Sequence, residues 1–393
     1  MTVKRAFSAV LVGGLVLTSL TVSRAQVDAR RIEEVFKKEV LTPEDLAVVD
    51  AFMNESVGRL VRTIDFTEVA KTRVVILSRQ NTHPQYAQRF SEAALKEIAA
   101  GFDYAAGIGD ANRGFRVFAN LLILINELND PRLADLAIRL IPHENNTVRY
   151  WAVRAATNPG VWDKLGQNPA AGTQAGKILS ACGQVVDTSS PEVLHLMAQF
   201  TGRYNTAPAN ELLIRIAEAR IRSYANWTAG YELADAAILK LLAAKVTTGG
   251  PANSQLARPF AQLYSFTIQR FLRGVQANTL KESSRNHLAS VLVETEEQCI
   301  GKLLGSPQSQ IRRAVETGDF NALQAEHDRL LGGASQAGAL PAKFSFAYGP
   351  AGNSRAPLPL PEPPAPKPAP ATPAAPTPKP AARPPATGSH ANH

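Results

Sequence analysis

The run from Asp130 to Ala156, DPRLADLAIRLIPHENNTVRYWAVRAA, constrains the fold more than any other stretch of the chain. Leu133, Leu136, Ala137, Leu140 and Ile141 fall at i, i+3, i+4, i+7 and i+8, and Val148, Trp151, Ala152, Ala155 and Ala156 repeat the spacing. That is the apolar stripe of an amphipathic helix, written twice. Asp130 before Pro131 starts the first helix, because proline is tolerated in a first turn whose N–H groups have no intrahelical partner. Pro142 and the Asn145-Asn146-Thr147 run end it and cap the second. Such a hairpin cannot bury its apolar stripe alone, so further hairpins are expected to stack on it.

The flanking sequence carries the same signature. Thr42-Pro43-Glu44-Asp45 reads as an N-cap, a proline at the first position and acids facing the helix dipole. Leu46, Val49, Phe52, Met53, Val57, Leu60 and Val61 continue that helix. Asp65 caps another, Tyr86 to Phe102 forms a further one, and Phe115 to Leu128 is the most amphipathic of all. Val161 to Ala171, rich in Gly, Asn and Pro, reads as loop. Helices then recur at Gln174–Val186, from Ser190 to Phe200, Ala209–Tyr224, Tyr231–Val246, Gln255–Val275, Leu280–Leu304, Pro307–Val315 and Asn321–Leu331. No strand pattern recurs, and the expected class is all-α.

Both ends differ from the body. Lys4-Arg5, an apolar run from Ala6 to Val22 and Ser23-Arg24-Ala25 form a tripartite secretory signal, with cleavage expected before Gln26. The apolar run is marginal for spanning a bilayer, and no later segment approaches that length. The protein is therefore expected outside the cytoplasm, periplasmic or extracellular, most simply in a bacterial envelope. The expected organisation is a signal peptide at 1–25, an all-α helical-repeat domain at 26–335, an extended aromatic segment at 336–350 carrying Phe344, Phe346 and Tyr348 at period two, and a disordered Pro/Ala/Lys-rich tail at 351–393. The aromatics of the third segment are expected to cover the last helices, and the tail to be dispensable for folding.

The formal charge of +8 carries less than it promises. Lys4, Arg5 and Arg24 supply three of the surplus charges, and Arg355, Lys367, Lys379 and Arg383 against Glu362 supply another three. A body so close to neutral has no net-charge footprint of nucleic-acid binding. Export permits a disulfide between Cys182 and Cys299, and two buried free thiols fit the sequence equally well.

The residues Asn145-x-x-Val148-Arg149-x-x-Ala152-x-x-Ala155 resemble the second helix of a HEAT repeat, with Asn145 in the place of that family's usual Asp. Ser190-Pro191-Glu192-Val193 and Gln310-Ile311-Arg312 are fainter echoes. The resemblance implies an irregular α-helical solenoid with a concave face. It implies no catalytic residue, since the repeat carries none.

No nucleophile elbow, Ser-x-x-Lys pattern or phosphate loop is present, and no catalytic, cofactor-binding or metal-ligating residue is assigned. His143-Glu144 reads as a capping or solvated pair, His195 as a core or boundary histidine, and His390 with His393 as too sparse to hold a metal. Arg149, Arg154, Arg215 and Arg222, with Arg220, are the basic side chains that could meet an acidic protein partner on a concave face. A solvated helix face is the plainer alternative. Two functions follow: a non-enzymatic exported scaffold that binds a protein partner while its tail contacts envelope material, or an envelope enzyme whose site assembles from scattered residues.

Overall fold

The computed structural model describes residues 31–166, 169–249, 254–349 and 352–363. The expected signal peptide and the tail from 364 onward, with His390 and His393, lie outside the described residues. Within them the protein is all-α; the isolated bridges Gly332–Ala337 and Tyr348–Ser354 do not extend into strands.

A helical turn over 31–36 precedes α1 (Pro43–Arg62), α2 (Phe66–Leu77), α3 (Pro84–Ala106) and α4 (Ala111–Leu128). A 3-10 turn (Pro131–Leu133) leads into α5 (Ala134–Ile138), followed by α6 (Asn146–Ala156), α7 (Pro159–Leu165) and α8 (Pro169–Val185). Then come α9 (Pro191–Thr201), α10 (Ala207–Ala225), α11 (Leu233–Gly249), α12 (Ala257–Gln276) and α13 (Glu282–Thr295). A π-helical segment (Glu296–Ile300) joins α13 to α14 (Gly301–Leu304), and α15 (Gln310–Thr317), α16 (Phe320–Leu331) and α17 (Ala339–Phe344) close the series.

Local chemistry explains where these helices begin. The Thr42 hydroxyl accepts from Asp45 N while the Asp45 carboxylate accepts from Thr42 N, a reciprocal capping box. Asp65, Asp110 and Asn145 each accept two backbone N–H groups of the helix they open. The helices pack mostly on near neighbours in the chain: α1 on α3, α4 on α6, α9 on α11, and α10 on α12. One continuous core runs from Ile32 to Leu360.

The hairpin at 130–156 forms with two changes. Its first half is a 3-10 turn, a short helix and a chain of turns rather than one helix, and Trp151 is only partly buried, with Val153 in the core instead. The loop expected over Val161–Ala171 is α7 and the start of α8. Asn158 Oδ1 accepts from Gly160 N, Pro159 occupies the first turn, and the Trp162 indole N–H donates to Ala156 O at 3.1 Å. Cap, proline and aromatic anchor outweigh a loop-like composition.

The C-terminal expectations are corrected most. Residues 336–350 are not an extended aromatic element: Ala339–Phe344 is helical, and Ser345 ends it in the left-handed region. Tyr348 is nonetheless buried, its hydroxyl donating to Leu331 O at 2.8 Å, so the segment does lie against α16. The folded unit extends to Leu360, which is 1% exposed. A boundary at 351 is therefore too early, because Leu360 brings the buried apolar area that a bare Pro/Ala tail lacks. Gly332 makes the return of the chain possible: at φ 110° it ends α16, and a Cβ there would lie 2.2 Å from Arg355 O.

Candidate functional site

An open trough of about 810 Å³ lies between α8 and α10. Helix α8 lines it with Gly172, Ala175, Gly176, Leu179, Ser180, Gly183 and Gln184, a single face at i, i+3, i+4, i+7, i+8, i+11 and i+12. Helix α10 answers with Pro208, Glu211, Leu212 and Arg215, and the turn before it adds Tyr204 and Thr206. A Cβ built on Gly172 or Gly176 meets nothing within 4 Å, so these glycines open the trough instead of bringing two packed helices together. Tyr204 is backed by Phe200 and Trp162, whose ring centroids lie 5.1 and 5.9 Å from its own.

Charge gathers on the same two helices. Asp187, in the 3-10 turn (Val186–Thr188) after α8, accepts from Arg215 Nη2 at 3.0 Å and also pairs with Arg222. Two guanidiniums thus share one carboxylate, and Glu211 stands a turn before Arg215. Of the five basic residues expected on a partner-binding face, Arg215 lines the trough and Arg222 shares its partner. Arg154 stands apart on α6, its guanidinium against the Tyr150 hydroxyl at 3.0 Å and 5.6 Å from the Trp151 ring centroid.

Arg149 is not a surface residue, and its assignment to a partner-binding face is corrected. It is 4% exposed, and its guanidinium donates to His143 O, Asn146 Oδ1, Thr188 O and Ser189 Oγ. It braces α6 against the turn after α8, and burial lowers its pKa. Arg220 is corrected likewise. It is fully buried against Asp235 and Gly230 O. Trp162 and Tyr224 are core, and Trp227 lies 4.3 Å beneath the Arg270 guanidinium. His143 Nδ1 accepts from Asn145 N, in keeping with a capping role. Cys182 and Cys299 are both free and buried, and burial pushes each thiol up to about 12.

A second cavity, of about 430 Å³, lies between α12, α16 and the returning residues Ala356, Pro357 and Pro359. Its wall includes His327 and Asp328, which with the buried Ser265 behind them form a hydrogen-bonded chain invisible in the sequence. Ser265 Oγ is 2.8 Å from His327 Nε2, and His327 Nδ1 is 2.8 Å from Asp328 Oδ1. The carboxylate beside Nδ1 assigns the proton to that nitrogen, leaving Nε2 to accept from the Ser265 hydroxyl. Burial lowers the His327 pKa, with Asp328 opposing. The order is that of a nucleophile, base and orienting acid, but the surroundings do not suit catalysis. Ser265 is fully buried in the middle of α12, where neighbouring N–H groups serve the helix and leave no oxyanion donors. Its Oγ also accepts from Gln269 Nε2 at 2.9 Å, so the hydroxyl helps fix that amide. Among the described residues no group of three or more His, Cys, Asp or Glu is placed to hold a metal, and no helix is long and apolar enough to cross a membrane.

No protein-family model matches the chain, and no curated protein or solved structure matches it either.

Proposed function

We propose that this protein is an exported, non-enzymatic scaffold of the cell envelope, built as an irregular helical-repeat solenoid, and that the α8–α10 trough seats a helix of a protein partner. The trough carries the reading: one face of α8, from Gly172 to Gln184, is lined mostly by small residues, is open, and has no covering element among the described residues. That face is about 18 Å long at 1.5 Å per residue, room for three turns of a partner helix. Small residues let two helix backbones approach closely; the largely buried Leu179 and Leu212 floor the trough, and half-buried Tyr204 is the side chain that offers apolar area to an aliphatic ridge. Arg215 and Arg222, sharing one carboxylate, favour a partner with an acidic residue at that end. The basic N-terminus followed by an apolar run supports export, and the stacking of near-neighbour helices supports the repeat reading.

The enzymatic alternative rests on Ser265–His327–Asp328. A fluorophosphonate probe tests it: covalent labelling of Ser265 in the folded protein would replace the scaffold reading with a hydrolytic one. For the scaffold itself, a photo-crosslinking residue at Ser180 is expected to give one discrete protein adduct in the native envelope. The same residue at exposed Glu55 is expected to give none. Equal adducts from both positions would remove the trough from the account.

A further inference from the structure

The chain returns across α12 in an unusual way. Between Pro357 and Pro361 only Leu358 and Leu360 own a backbone N–H, and both are bonded to glutamine side chains. Leu358 N donates to Gln262 Oε1 at 2.9 Å, and Leu360 N donates to Gln269 Oε1 at 2.6 Å. In return Leu358 O accepts from Gln262 Nε2 at 3.3 Å and from Gln269 Nε2 at 3.1 Å. A glutamine amide offers the same C=O and N–H as a peptide unit, so two side chains do here what a sheet edge does for an added strand.

The segment's own chemistry fits that reading. Each proline fixes its φ and holds the leucine before it out of the helical region. An extended chain of this composition is a polyproline-II helix, with three residues per turn. Burial follows that period: Pro357 and Leu360 face the body, while Leu358, Pro359 and Pro361 face solvent. Leu360, 1% exposed, is the anchor. The Gln269 amide is oriented in advance, because its Nε2 also donates to Ser265 Oγ, which leaves Oε1 directed at Leu360 N.

We propose that the Gln262–Gln269 face of α12 is a recognition site for alternating-proline peptides in the polyproline-II conformation, and that residues 357–361 of the same chain are its resident ligand. The site reads backbone N–H groups at every second position and one aliphatic side chain three residues after a proline.

The test uses the full-length chain. In the L358P/L360P variant both donors and the anchor are gone while the prolines remain, which vacates the site. A fluorescein-labelled peptide of residues 356–363 is titrated and followed by anisotropy. Saturable binding to L358P/L360P is expected, with at least tenfold weaker binding to wild type, whose site is filled. Adding Gln269→Ala to the variant, or replacing the peptide's Leu360 by alanine, should weaken binding at least tenfold. Equal binding to wild type and L358P/L360P, or none to either, overturns the proposal. If L358P/L360P loses helix content, hydrogen exchange on wild type decides the matter. Protection of the Leu358 and Leu360 amides at least tenfold above the intrinsic peptide rate supports the site, and exchange at that rate overturns it. Sedimentation identifies the occupant. A monomeric wild type keeps the ligand in the same chain, and a dimer that L358P/L360P dissolves would give it to a second copy and overturn the assignment.

Discussion

Arg220 and Asp235 face each other with neither side chain exposed to solvent, Nε to Oδ1 at 2.6 Å and Nη2 to Oδ2 at 2.9 Å. The pair ties α10 to α11, and the Tyr224 hydroxyl donates to the same carboxylate at 2.7 Å. Burial works against the guanidinium charge, but Asp235 more than offsets it and raises the Arg220 pKa. A buried ion pair contributes little net stability against apolar residues of the same size, yet removing one partner strands a charge. Asp235→Ala should therefore cost about 3–5 kcal/mol. Calorimetry should show a large fall in Tm for Asp235→Ala and a smaller one for the R220M/D235L pair. A double variant no better than Asp235→Ala would contradict this account.

Arg149 and Arg154 lie five residues apart on α6 and should behave oppositely. Arg149→Ala strips buried carbonyl and hydroxyl oxygens of their donor, at about 1–3 kcal/mol for a buried group left unsatisfied. Arg154→Ala, at an exposed position, should stay within about 0.5 kcal/mol of wild type. Urea midpoints at constant m-value test both.

Stability should fall as pH drops below about 6.5, the ordinary histidine pKa. Burial lowers the pKa of His327, with Asp328 opposing, and of His195. At His143 burial also lowers it, with Glu144 opposing and Arg149 adding. A histidine with a depressed folded pKa refuses a proton that the unfolded chain accepts, so stability is lost through that window. Glu296, raised by burial against its backbone hydrogen bonds, runs the other way at lower pH. Tm measured at pH 7.5, 6.0 and 5.0 should decline steadily, and His327→Gln should flatten the decline. A Tm that is flat across this range would count against the buried neutral histidines.

The legible features of the sequence were those decided within a few residues. Thr42, Asp65, Asp110 and Asn145 announce helices because a cap bonds to N–H groups two or three positions on. The illegible ones depend on partners far along the chain. Arg149 reads like any helix-surface arginine until Thr188 and Ser189 arrive beside it from 39 and 40 residues away. Ser265 and His327 are separated by 62 positions with no motif between them. The trough was illegible for another reason: its mark is the absence of side chains at Gly172 and Gly176, which periodicity in hydrophobic residues cannot register. The alternation of Phe344, Phe346 and Tyr348 suggested an extended element, but Ala339–Phe344 folds as helix and only Tyr348 is fully buried.

Chain ends placed on either side of Leu360 should differ in stability. A chain stopped after Pro363 should melt with wild type. One stopped after Pro350 loses Leu360, a fully buried side chain whose removal alone costs about 2–5 kcal/mol as Leu→Ala, together with its amide bond to Gln269. Gly332→Ala should mimic the shorter chain, since its Cβ would strike Arg355 O. Equal Tm values for all three would place the end of the folded body before Pro350.

The most direct test of the trough is to fill it. Gly176→Leu adds a side chain where a built Cβ meets nothing within 4 Å, so it should leave Tm unchanged while occupying the space proposed for a partner helix. Measured in the native envelope, the photo-crosslink from Ser180 should fall at least tenfold in Gly176→Leu, with no change in protein level. A crosslink of undiminished yield to the same partner in Gly176→Leu would contradict the claim that the α8–α10 trough is where this protein binds.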